Sequence, residues 1–179
     1  MQFSIGDKVV HPHHGPGQIT GLEYKELTDE AQSYFVIDIA AQGLTLYIPR
    51  RKMDEAGVRM AISQARVARV LDTLRSRPRR LPEDFRERQE TVWEKIRTGR
   101  TMQLAEVVRD LTWLRHRDHL TQKDTEYLKR GRDLLAAEMA LASDTQVSEV
   151  SETIEAELLT ALASPTPWDL HHPAPAQPA

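Results

Sequence analysis

The sequence predicts an α+β protein: a small antiparallel β module first, then a compact all-α domain of about five helices. Three observations predict it. Up to about residue 55 the apolar residues come in short runs separated by glycine and proline. From residue 56 they recur at spacings of three to five, the period of an amphipathic helix. Residues 164–179, SPTPWDLHHPAPAQPA, are dominated by proline and alanine. Such a segment buries too little surface to offset its ordering entropy, so a disordered tail is expected there. The expected divisions are therefore 1–55, 56–163 and 164–179.

In the first division, Ile5, Val9 and Val10 make one apolar run, closed by the turn-formers Pro12, Gly15, Pro16 and Gly17. Residues 19–24, 34–39 and 44–48 make three more, with Gln42-Gly43 as a hairpin signal between the last two. Four or five short strands within about 50 residues predict a small twisted barrel of antiparallel strands.

In the second division, Val58, Ile62, Ala65, Val70 and Leu74 predict a first helix. Pro78 and Pro82 should stop it, because proline lacks the backbone donor. A second helix is expected from near Pro82 to Gly99, with Phe85, Val92 and Ile96 on one face. A third should start near Thr101, with Leu104, Val107, Val108, Leu111 and Leu114 as its stripe. A fourth is expected over residues 121–143. Thr121 suits its N-cap, and Asp124 three residues on reinforces the cap. A fifth should cover about residues 146–163, with Ile154, Leu158 and Leu162 inward.

Charge is segregated although the total is only −3. Residues 1–49 carry two basic and six acidic side chains, residues 75–100 nine and five, and residues 144–179 none and six. A basic middle thus lies between two acidic ends. The total argues against a protein that coats nucleic acid unaided. The absence of cysteine excludes disulfide scaffolds, zinc ribbons and thiol nucleophiles, and fits a cytoplasmic protein. No apolar run approaches the roughly 20 residues that span a bilayer, and the first residues lack a signal-peptide pattern, so no membrane role is expected.

No nucleotide-loop, nucleophile-elbow or metalloprotease motif is present, and no residue set nominates itself as catalytic. His11, His13 and His14 with Asp7 could converge on a metal, but Pro12 and the glycines put them in a turn, and a structural role is preferred. His116 and His119, three apart on the third helix, read as solvated. No metal is expected. The arginines from 75 to 100 are more informative. Arg75, Arg77, Arg79 and Arg80 flank a helix break, with Arg86 and Arg88 on the next helix. They suit phosphate contact, or equally a solvated corner paired with Glu83, Asp84, Glu87 and Glu90.

The motif Gly6-Asp7-x-Val9-Val10-x-Pro12 with Gly15 and Gly17, Tyr34 in a strand, and Leu44-x-x-x-Ile48-Pro49 running into Gly57-Val58-Arg59 resembles the CarD/CdnL family of bacterial transcription regulators. Its first module is shared with the polymerase-interacting domain of the transcription-repair coupling factor. Residues 105–111, AEVVRDL, resemble the third-helix signature, and Leu120-Thr121 and Ala136-x-Glu138-x-Ala140 follow in order. The resemblance covers about residues 1–163. It implies a Tudor-like β module that binds the RNA polymerase β subunit, and a helical domain that touches promoter DNA at the upstream edge of the bubble. It implies no cofactor and no catalysis.

Carried over by position, the polymerase contacts fall on Lys25, Tyr47 and Pro49, and the DNA contacts on Phe85, Arg86, Arg88, Arg79 and Arg80. Lys25 and Tyr47 stand where some relatives have arginine. Lys25 keeps the charge without the bidentate fork, and Tyr47 offers an aromatic anchor or simple sheet packing. Phe85 stands where the family has a wedge tryptophan. It serves as a smaller wedge or as core. Trp93 and Trp113 read as core or interdomain packing. The expected protein is a cytoplasmic monomer, held at the nucleoid through polymerase. A polymerase-binding adaptor whose helical domain engages protein is the alternative, favoured by Glu87 and Glu90.

Overall fold

The structure is a computed structural model that describes residues 2–25 and 32–163, with the backbone alone described at Lys25. The tail expectation, with Trp168, His171 and His172, lies outside these residues. Five strands, β1 Lys8–His11, β2 Gly15–Lys25, β3 Gln32–Ile39, β4 Leu44–Pro49 and β5 Arg59–Met60, form one antiparallel sheet in the order β4-β3-β2-β1-β5. The sheet is open where a closed barrel was expected: β5 has two residues and pairs only with β1, so β4 and β5 remain edges.

Alternation along β3 sends Phe35, Ile37 and Ile39 to one face. There they meet Val9, Ile19 and Ile48, with Phe3, Met53 and Val58 closing the cluster. Gly17 is required on β2, since a Cβ there would sit 2.5 Å from the Asp38 carbonyl oxygen. A bulge between Ile19 and Gly21 twists the long strand, which explains the imperfect alternation in the sequence.

Five helices follow: α1 Gln64–Arg75, α2 Phe85–Thr98, α3 Thr101–Arg117, α4 Gln122–Ser143 and α5 Val147–Ala163. Two starts differ from expectation. Helix α1 begins at Gln64 because residues 58–60 are still in the sheet module: Val58 joins the β core and Arg59–Met60 pairs with β1. Helix α2 begins at Phe85, where the Asp84 carboxylate accepts the backbone N–H groups of Arg86 and Glu87. The α4 cap is as expected, a capping box between Thr121 and Asp124.

Helix α3 is the central element. Leu104, Val108 and Leu111 pack with Leu74 of α1, Ile96 of α2, Leu135 and Met139 of α4 and Leu158 of α5. Trp113 is buried, as expected. Phe85 does not share the buried face of Val92 and Ile96, and Ala65 is exposed on α1. No helix of the described residues is long and apolar enough to cross a membrane.

Candidate functional site

The outer edge of the sheet is β4, which pairs only with β3. Tyr47 lies on this edge strand, opposite Val36, and is 44% exposed. Pro49 ends the strand opposite Tyr34 and is half-buried. Lys25 closes β2 opposite Gln32, at the same end of the sheet as the Tyr34–Pro49 pair. The three residues expected to bind polymerase thus lie on two strands, β4 and β2, with β3 between them. The open side of β4 also offers backbone groups to which a strand could add.

The two halves meet at a polar joint that sequence reasoning missed. The Arg59 guanidinium, at the end of the sheet module, donates to both Glu138 carboxylate oxygens on α4, at 2.7 and 2.8 Å, and also to the Gly99 carbonyl. Glu138 further accepts the Thr101 hydroxyl at 2.9 Å and the Ile62 backbone N–H at 3.1 Å. Gly15, with φ of 82°, lies under α4, where a Cβ would come 3.1 Å from Leu134 Cδ2. Lys8 adds an ion pair with Asp144 at 2.6 Å. The only signal in the sequence was the presence of Arg59 and Glu138 in the motifs, where their pairing was not legible.

Phe85 opens α2 on the surface. It is 47% exposed, with the Arg86 guanidinium 5.6 Å from its ring centre. Arg79 and Arg80 are exposed on the preceding connector. Arg80 pairs with Glu83, and Arg79 stands 3.8 Å from Glu106. Glu106 also takes the Lys95 ammonium at 2.7 Å. Burial acts to raise its pKa, but the Lys95 hydrogen bond and the cations around it hold the carboxyl below its usual range.

Arg88 corrects the sequence reading. It is only 7% exposed, and its guanidinium donates to Asp124 at 2.9 and 3.2 Å and to the carbonyls of Pro82 and Glu83 at 3.0 and 3.1 Å. All of its directional capacity on that side is spent inside the domain, so it presents no surface to a phosphate. Arg75 is also engaged, in a two-pronged pair with Glu157 of α5 at 2.5 Å.

Trp93 is a second correction. It is 38% exposed rather than core, stacked on Tyr127 at 5.7 Å between ring centres, with the Arg130 guanidinium 5.6 Å from its ring centre. The histidine turn is structural: His11 Nδ1 accepts the backbone N–H groups of His13 and His14, at 3.2 and 3.4 Å. Burial, then the neighbouring His14 and His13, pull the His11 pKa down to about 4. His119 falls beyond the end of α3, and both it and His116 are exposed. Among the described residues no three His, Asp or Glu side chains are placed to hold a metal.

Residues 3–62 match the CarD-like/TRCF RID domain family, and residues 69–155 match the family described as CarD, C-terminal domain. A Bacillus subtilis (strain 168) protein named "Putative transcription factor YdeB" is 30% identical over 139 residues, which are 76% of this chain and 90% of that protein.

Proposed function

The chain belongs to the CarD-like family of transcription regulators, and from that premise we propose that it docks on the RNA polymerase β subunit and tunes the lifetime of the open promoter complex. The β4 edge with Tyr47 and Pro49, together with Lys25 at the same end of the sheet on β2, is the docking surface. Phe85, with Arg86, Arg79 and Arg80, is the surface that meets DNA at the upstream edge of the bubble. The protein works as a cytoplasmic monomer without a cofactor and reaches the nucleoid through polymerase.

The observation that carries this reading is the placement of Phe85. A large apolar ring at a helix start, outside the core and beside an arginine, is suited to wedge against a base step while the cation meets phosphate. Tethering through the sheet raises the local concentration of this weak contact. A bias of about 1.4 kcal/mol would then change the closed-to-open ratio tenfold.

Two measurements test it. The full chain should be retained by an immobilised polymerase β lobe, and failure of that capture would overturn the docking claim. Phe85→Ala should keep the capture and the fold, and should cancel most of the effect on open-complex lifetime. A second reading has its own observation: Glu87 and Glu90 are exposed beside Phe85 while Arg88 is withdrawn. The ring then anchors a protein partner, and lifetimes would be equal with and without the wild-type chain.

A further inference from the structure

Beside Phe85 lies a groove of about 640 Å³, between the connector of residues 77–83 and the C-terminal half of α3. That volume is the size of sites that hold small organic ligands. Its floor is apolar, formed by Pro78, Leu81, Pro82, Trp113 and Leu114. Five arginines and three carboxylates line it, but Arg88 is spent on Asp124 and the Pro82 and Glu83 carbonyls and is not offered to a ligand. Two of those carboxylates are already answered. Asp110 Oδ1 accepts from Arg109 Nε at 2.8 Å and from the Arg79 backbone N–H at 2.9 Å, and Glu83 pairs with Arg80. Arg77, Arg79 and Arg80 are exposed at the rim, while Arg117 is partly sunk into the wall, where burial lowers its pKa.

The floor is also incompletely hydrogen-bonded. Asp110 and Trp113, both less than a tenth exposed, border the groove one helical turn apart on α3. Asp110 Oδ2 has no donor and Trp113 Nε1 has no acceptor. Buried polar atoms are ordinarily satisfied, so an acceptor and a donor left open together ask for a group that carries both complements. A nucleobase edge, with an N–H beside a ring nitrogen or carbonyl, is such a group. Phosphates suit the arginine rim.

We propose that this groove binds a nucleoside diphosphate, with the phosphates on Arg77, Arg79 and Arg80 and the base edge against Asp110 and Trp113. The site goes beyond polymerase docking and promoter contact. Because Arg79 and Arg80 are shared with the proposed DNA surface, an occupied groove would oppose the DNA contact.

The test uses the full chain alone, by calorimetric titration with GDP, ADP, pyrophosphate and guanosine. GDP or ADP should bind at least tenfold more tightly than pyrophosphate or guanosine. The double variant Arg79→Ala, Arg80→Ala, which touches only exposed side chains, should weaken diphosphate binding at least tenfold. Trp113→Phe should weaken GDP several-fold and leave pyrophosphate unchanged. No binding of either nucleotide at millimolar concentration overturns the proposal, as does equal affinity for GDP and pyrophosphate, which would reduce the groove to a charge effect. Neither polymerase nor DNA is in the titration, so failure here leaves the promoter reading standing.

Discussion

A single buried arginine shows how little residue type says about role. Arg88 lies in a run of arginines that reads as one phosphate-facing cluster, yet it is turned inward to Asp124 while Arg86, two residues earlier, stays outside. Removing one partner of a buried pair strands the other charge, which costs about 3–5 kcal/mol. Arg88→Ala should therefore lower stability by about that amount in urea unfolding. Arg86→Ala should change it by less than about 0.5 kcal/mol, and equal losses would contradict the distinction. His11 supplies the pH dependence. Its folded pKa, about 4, is below the ordinary 6.5, so between those values the unfolded chain takes up a proton that the folded chain refuses. Stability should fall as pH drops from about 6.5 to about 4. The carboxyls of Glu106 and Glu157 are held below their usual range, Glu157 by its hydrogen bond to Arg75, and weaken the fold only in more acid solution. His11→Asn, which keeps an acceptor for the turn, should flatten the thermal-melting profile above pH 4.5. An unchanged slope would remove His11 from the account. The sequence could not separate Arg88 from Arg86, because the carboxylate that claims Arg88 lies 36 positions away.

At the scale of elements, local signals were legible and long-range ones were not. The α4 cap could be read because Thr121 and Asp124 are three apart and their bonds close within one turn. The core stripe of α3 could be read because burial follows the helical period. The start of α1 could not be: Val58 has helical spacing to Ile62 but belongs to the sheet, and only the pairing of Arg59–Met60 with β1 decides that. Nor could the joint, whose partners Arg59 and Glu138 are 79 residues apart. This joint sets the direction in which Phe85 is presented relative to the β4 edge. Glu138→Ala removes the acceptor of Arg59, Thr101 and Ile62 together, at an expected cost of about 2–3 kcal/mol because Arg59 keeps partial access to water. The variant should still be captured by polymerase, since β4 is untouched, but it should lose much of its effect on open-complex lifetime. Full retention of that effect in a measurably destabilised Glu138→Ala protein would show that the angle between the modules is not what matters.

For the whole molecule, the distribution of charge governs how DNA can be approached. The basic connector and the start of α2 lie on one part of the helical domain. Helix α5 brings four glutamates and no basic side chain to the packing with α1 and α4. Two of those glutamates are occupied: Glu157 takes Arg75, and Glu155 takes Arg132 at 2.5 Å. The Glu157 pair engages Arg75 and the Asp124 pair withdraws Arg88, so the proposed DNA surface keeps three exposed arginines, Arg79, Arg80 and Arg86. Three phosphate contacts give a salt slope near −2.7 on logarithmic axes, and a free affinity no better than ordinary non-specific binding, about 10⁻⁴ M or weaker at physiological salt. The chain alone should therefore leave promoter DNA unshifted at micromolar concentration. With polymerase present, its effect on open-complex lifetime should decline with salt at a slope between about −2 and −3. A slope near zero would mean that phosphate contact plays no part, as the adaptor reading requires. Micromolar binding to free DNA would mean that the tether is dispensable, and that the sum of charges misjudged how strongly so few arginines can act.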